Sequence, residues 1–164
     1  MAEPKWLVHA RTYLGTAEIP GKQHNPVIVR WLKALKSWWI EDETPWCGTF
    51  VGAVMRESGL PVAKHWYRAK GWLDWGVPVA EPSVGCVVVY DREGGGHVGF
   101  AVAYDQGGRI LTLGGNQGNR VSIAPFPRWR VLGYRWPADH VAELFAAGAL
   151  PVVASDDASS NDES

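Results

Sequence analysis

Cys47 is the first residue whose surroundings suggest chemistry. It lies in the segment DETPWCGTF (42–50) and is one of two cysteines in the chain. Thr44 and Pro45 are typical helix-start residues, so we expect Thr44 to be an N-cap and Cys47 to lie in the first helical turn. Free N–H groups in a first turn stabilise a thiolate and can bind an oxyanion. Cys47 is therefore a candidate nucleophile, and the alternative is a structural cysteine buried under Trp46.

Three neighbours of Cys47 bear on its reactivity. Gly48 has no side chain, and we expect it to leave room for a substrate to approach the sulfur. Asp42 and Glu43 are negative, and they would raise the pKa of the thiol unless they are paired or point away.

His97 is the candidate base. It follows three glycines at the start of the run GGGHVGFAVAY (94–104), which alternates as a β-strand does. Its face of the strand continues with small residues, so a helix could pack closely there. If that helix carries Cys47, the imidazole can take the thiol proton and later protonate a leaving amine. The alternative is a surface histidine in a glycine loop.

Asn116 is the candidate third residue, just past the end of the next predicted strand in RILTLGGNQGNR (109–120). A side-chain carbonyl beside His97 would hold the imidazole in the required tautomer. A turn without chemistry is the alternative. Gln117 and Asn119 compete for the orienting role, and Gln117 is also a candidate substrate contact.

Metal and cofactor sites are not expected. The remaining histidines have no partner motif, and Cys47, Cys86 and His97 lack the close spacing of zinc ligands.

Tryptophan is unusually frequent, with ten residues in the chain. The four that flank the proposed site in sequence are candidates for a substrate cleft, because ligand pockets are often lined by aromatic rings. They are Trp46, Trp66, Trp72 and Trp75. Core packing is the alternative for each.

The elements that must position these residues are helices first and strands second. Apolar spacing and start signals predict helices beginning at Trp6, at Asn25-Pro26 and at Thr44-Pro45, with a further short turn within 68–76. Five β-rich runs follow, at 86–90, 97–104, 109–113, 120–124 and 131–136. This order predicts an α+β fold, with helices packed on a C-terminal antiparallel sheet.

The length of 164 residues suits one domain. We predict a single catalytic domain at 1–140, a C-terminal helical extension at 141–153 and a disordered acidic tail at 154–164. A net charge of −1 with scattered Lys and Arg argues against nucleic-acid binding. The N-terminus lacks the apolar core of a signal peptide, and no apolar run is long enough for a membrane span. We therefore expect synthesis in the cytoplasm.

Several motifs occur together in this chain: PWCGTFV, then GCVVVYDREGGGHVGFAVAY, then ILTLGGNQ and VLGYRWP. With them the sequence resembles the CHAP and NlpC-type cysteine peptidase superfamily, and more narrowly small phage and prophage lysis proteins. The resemblance covers about residues 5–137. It implies a papain-like fold and a Cys-His-Asn site formed by Cys47, His97 and Asn116.

The resemblance also implies the reaction, which is cleavage of peptidoglycan amide bonds. The bond would lie within the stem peptide or between N-acetylmuramic acid and L-Ala. We expect a monomeric endolysin-type enzyme that reaches the wall in the periplasm with a holin, or by injection through a phage or secretion apparatus. The alternatives are an acyltransferase or deamidating toxin with the same site, and a non-catalytic wall-binding or tail-binding module.

The sequence departs from the family pattern at two positions. Gly85-Cys86 stands where members often have Gly-Asp. Gly114 stands where many members have a Glu two residues before the orienting Asn. A site of three residues is therefore expected.

Overall fold

The computed structural model describes residues 3–19, 24–39 and 45–154. Within them, three helices precede the sheet: α1 (Lys5–Arg11), α2 (Pro26–Ala34) and α3 (Cys47–Glu57). A 3₁₀ helix at Ala69–Asp74 follows, and α4 (Val141–Ala147) comes after the last strand. The predicted start of α2 is confirmed, because the Asn25 side chain accepts a hydrogen bond from the Val27 N–H at 2.8 Å.

Six antiparallel strands form one sheet in the order β1-β6-β2-β3-β4-β5. Their bounds are Val77–Val79, Val87–Arg92, Gly95–Tyr104, Ile110–Gly114, Ser122–Phe126 and Val131–Trp136 for β1 to β6. The α+β architecture predicted from the sequence is confirmed, and it is consistent with a papain-like fold. The three-residue β1 was not predicted, because a Val-Pro-Val run is too short to show alternation.

Helix α3 lies between the other helices and the sheet. The ring of Phe50 on α3 contacts Tyr13 and Trp31 on the helical side and Phe100 of β3 on the sheet side. Phe100 lies on the opposite face of β3 from His97, since neighbouring strand residues alternate. At Phe50, α3 therefore packs on the face of β3 that carries Phe100, and the condition that a helix bearing Cys47 packs on the small-residue face is not met at this contact.

Close approach between strands explains the small residues of β3 instead. A Cβ atom added to Gly99 would lie 2.7 Å from the Thr112 methyl group and 2.9 Å from the Leu113 carbonyl oxygen of β4. Gly99 therefore allows the close approach of β4, and not the packing of a helix.

The C-terminal segment packs back on the sheet. After α4, Ala149 forms a bridge with Ser83, and Val152 forms one with Tyr104. Leu150 is buried. Only residues 141–147 of the predicted helical extension are helical, and most of the predicted tail, 155–164, lies outside the described residues. In the part of the chain that the structure describes, no helix has the length and apolar character needed to cross a bilayer.

Candidate active site

Cys47 is the first residue of α3. Trp46 is the N-cap residue, with φ −127° and ψ 22°, and its carbonyl accepts the first helical hydrogen bond, from Phe50 N–H at 2.9 Å. Cys47 therefore lies in the first helical turn, as predicted, but the N-cap is Trp46 and not Thr44. The proposed cap, Thr44, lies outside the described residues, as do Asp42 and Glu43.

The buried side chain of Trp46 holds the start of α3 in place. Its ring is fully buried, and the indole Nε1–H donates to Glu18 Oε2 at 2.9 Å. Gly115 makes room for the ring, because a Cβ there would lie 2.8 Å from Trp46 Cζ3. Trp46 is thus a buried support of the first turn and not the wall of an open cleft.

The position that a side chain at Gly48 would take is already filled by a neighbouring segment. A Cβ at this position would lie 2.1 Å from the Trp66 carbonyl oxygen, closer than such atoms ever approach. The expectation that Gly48 leaves room for a substrate is wrong in this structure. The glycine instead lets the chain at Trp66 and Tyr67 pack directly against the start of α3.

Three backbone N–H groups converge on the Cys47 sulfur. They belong to Val98, Gly48 and Cys47 itself, and they lower the pKa of the thiol, as does the positive charge of Arg92. Burial acts in the opposite direction and is the largest influence, so the pKa of Cys47 is raised overall. The N–H groups at the helix start favour the thiolate, as predicted, but desolvation outweighs them.

The hydrogen bond from Val98 also locates the sulfur relative to the candidate base. Val98 directly follows His97 on β3, so the Cys47 sulfur lies against the backbone one residue beyond His97. Both side chains are nearly closed to solvent, with 8% of Cys47 and 2% of His97 exposed. Both candidate residues are therefore largely desolvated.

His97 is held by Gln117. Its Nε2 lies 2.7 Å from Gln117 Oε1, and both residues are buried. The Gln117 amide nitrogen donates to the carbonyl oxygens of Thr112 (3.1 Å) and Ser122 (2.8 Å), which fixes the orientation of the amide. Since Oε1 then faces the imidazole, His97 Nε2 carries the proton and donates, and Nδ1 is left as the basic nitrogen.

Aromatic rings flank the imidazole. Phe126 stacks on His97 with centroids 4.9 Å apart and planes 15° apart, and Tyr90 is stacked at 6.3 Å. Burial lowers the pKa of His97 to about 4, and the hydrogen bond that His97 donates to Gln117 opposes part of that effect. At neutral pH the imidazole is therefore an unprotonated base. No sequence signal indicates Phe126, since only strand pairing brings β5 near β3.

Asn116 does not contact His97 through any hydrogen bond that the structure records. It is half-buried in a turn, with a left-handed φ of 60°. Gly114 decides which side chain reaches the imidazole, because a Cβ there would lie 2.4 Å from Gln117 Oε1. The small residue that departs from the family pattern is thus the residue that admits Gln117.

The other tryptophans proposed for a cleft lie in the core. Trp72 is fully buried, while Trp66 and Trp75 are 8% and 5% exposed. Trp72 donates its indole N–H to the Trp66 carbonyl at 3.1 Å, and Trp75 donates to Pro61 at 2.9 Å. Core packing, the alternative for these residues, is what the structure shows. Among the described residues, no group of three potential metal ligands is brought together.

Comparison with known families matches residues 39–116 to the CHAP domain. The match confirms the resemblance to the CHAP and NlpC-type cysteine peptidase superfamily. It includes Cys47 and His97 and ends one residue before Gln117. No curated protein and no solved structure matches the chain.

Proposed function

Because residues 39–116 are a CHAP domain, we propose that this protein hydrolyses peptidoglycan amide bonds with Cys47 as nucleophile, His97 as base and Gln117 as the residue that orients the base. CHAP domains are typically cysteine amidases or peptidases, and the domain indicates a peptidoglycan hydrolase or amidase. The observation that carries the proposal is the hydrogen bond between His97 and Gln117, on the strand where the next residue, Val98, donates its backbone N–H to the Cys47 sulfur.

In the first step, acylation, both the Cys47 thiol and the His97 imidazole start uncharged. His97 is unprotonated at neutral pH and the raised pKa of Cys47 keeps the thiol protonated, so Nδ1 takes the proton as the sulfur attacks the amide carbon. The oxyanion forms beside the sulfur, and in this proposal the N–H groups of Cys47 and Gly48 turn from the sulfur to the oxyanion and stabilise it in a desolvated site. The imidazolium is stabilised by Gln117 Oε1 and then protonates the leaving amine.

Deacylation uses the same groups in reverse. Once the amine has left, His97 is again neutral and can take a proton from water, which attacks the thioester carbon. The thiolate leaves and regains its proton from His97. The acid product carries the new carboxylate, and the enzyme returns to the uncharged thiol and imidazole.

An endolysin-type role is part of the proposal. It is supported by the resemblance of the PWC, GHVGF and LGGNQ motifs to small phage lysis proteins. In that role the enzyme would act on the wall in the periplasm, after release by a holin or after injection.

Digestion of purified peptidoglycan, followed by mass spectrometry, tests the reaction. We expect new amino termini that wild-type protein produces and Cys47→Ala does not. New termini at L-Ala would identify an amidase, and termini within the stem peptide would identify an endopeptidase. Unchanged peptidoglycan, or equal cleavage by Cys47→Ala, would refute the proposal.

A further inference from the structure

Three aromatic side chains form a surface beside the candidate site, which we term the aromatic shelf: Trp38, Trp39 and Tyr67. The Trp38 ring lies 4.6 Å from Trp39 and 4.8 Å from Tyr67, in edge-on contacts. Trp39 and Tyr67 are half-buried, whereas 73% of Trp38 is exposed. The shelf therefore presents a large apolar ring that its own neighbours hold in place.

The shelf is continuous with the wall that holds Cys47. Trp39 and Tyr67 both contact the buried Trp66 ring, at 5.7 and 5.5 Å. The Trp66 carbonyl packs against Gly48, the residue after the nucleophile. One rigid set of contacts thus runs from the exposed ring of Trp38 to the first turn of α3.

The exposure of Trp38 contrasts with most tryptophans in this chain. Trp6, Trp31, Trp46, Trp72 and Trp136 are almost entirely buried. An exposed apolar patch is typical of a binding surface, and this one adjoins a site that must hold a polymer. Within the described ranges, no side chain covers the outer part of Trp38.

The chemistry of the shelf suits a sugar better than the stem peptide. The apolar C–H face of a pyranose packs on an aromatic ring, and a polar edge such as the Tyr67 hydroxyl, 3.1 Å from His65 Nδ1, can meet sugar hydroxyls. The carboxylates of a stem peptide would favour a cluster of cations, whereas the three shelf rings are uncharged and one cation, Arg68, lies over the Tyr67 ring at 5.7 Å.

We infer that the aromatic shelf binds the glycan chain of peptidoglycan, with an N-acetylated sugar stacked on Trp38. The inference rests on the proposed function, since it assigns part of that substrate to a surface. Trp38 would be a specificity residue that holds the polymer while the peptide enters the site.

Binding to a catalytically inactive protein tests the shelf apart from catalysis. Cys47→Ala would be titrated by calorimetry with peptide-free glycan chains and, separately, with a sugar-free stem peptide. We expect Trp38→Ala in that background to raise the Kd for glycan at least about tenfold and to leave the Kd for the peptide unchanged. Trp38→Phe should recover part of the glycan affinity, because a ring is retained.

Phe145→Ala is the matched control. Phe145 is 84% exposed on α4, outside the shelf, so its removal should not change glycan binding. The inference is overturned if Cys47→Ala does not bind glycan or if Trp38→Ala leaves the Kd for glycan unchanged. It is also overturned if Trp38→Ala raises the Kd for the peptide as much as the Kd for glycan. Glycan binding that depends on Trp38, in a protein that leaves peptidoglycan intact, would refute the proposed reaction and retain the shelf.

Discussion

The two cysteines have the same side chain and nearly the same burial, but they lie in different polar surroundings. Cys86 is fully buried just before β2, and burial raises its pKa to about 12. Two backbone groups, from Ser83 and from Cys86 itself, oppose that rise. Cys47 has the same desolvation as its main influence, but three N–H groups and the charge of Arg92 oppose it.

The difference shows that a helix start does not by itself make a cysteine reactive. Burial makes both thiols hard to ionise in the resting protein. What distinguishes Cys47 is a neutral base one residue from its hydrogen-bond partner on β3, with that base oriented by Gln117. The comparison predicts that activity depends on His97 and Gln117, and not on a thiolate that is already ionised in the resting protein.

Substitution of each cysteine by alanine is the strongest test of the contrast. We expect Cys47→Ala to lower the rate of peptidoglycan cleavage by at least about 10⁴-fold, because the nucleophile is lost. Cys86→Ala should retain the wild-type rate and lose about 1 kcal/mol of stability, because only one buried atom is removed. Rates and urea unfolding curves measure both effects. A folded Cys86→Ala protein without activity would contradict the contrast.

Gly114→Ala tests whether the base needs Gln117. The added methyl group would lie 2.4 Å from Gln117 Oε1 and 3.2 Å from His97 Nε2, so it should break the hydrogen bond between the two side chains. We expect the rate to fall about 100-fold while the fold is retained, since general-base catalysis contributes on that scale. Gly95→Ala is the matched control on β3, because nothing lies within 4 Å of its added methyl group. Equal rates for Gly114→Ala and Gly95→Ala would show that the reaction does not require Gln117 to orient His97.

Alkylation by iodoacetamide measures the smallest expected difference. At neutral pH Cys47 should react slowly, because its raised pKa leaves little thiolate, and its rate should climb as the pH passes above the ordinary thiol value of about 8.5. Cys86 should react only after unfolding.

The effect of Arg92 on that reaction follows from its charge. Arg92→Gln removes a positive charge that lowers the pKa of Cys47, so the pKa should rise further and alkylation should slow about two- to threefold. Peptide mass spectrometry identifies the modified cysteine. Fast labelling of Cys47 at neutral pH would show that burial does not control the thiol.

Much of the fold follows from local sequence rules. Alternation in 97–104 and the turn residues on either side predict β3, and Asn25-Pro26 predicts the start of α2. These signals depend on neighbours within a few residues, so they can be recognised from the sequence without knowing the tertiary structure. The start of α3 was placed two residues early, because Pro45 satisfies the helix-start rule whether or not the backbone becomes helical there.

The sequence by itself determined the residue types of a thiol site, their order along the chain and the α+β arrangement that brings them near one another. Tertiary structure alone decided how they act. Strand pairing and the missing side chain of Gly114 brought Gln117 rather than Asn116 to His97. Burial set the pKa of Cys47 above and that of His97 below its ordinary value. The same packing placed most tryptophans in the core and left Trp38 and Trp129 exposed, because desolvation and close approach depend on residues far apart in the chain.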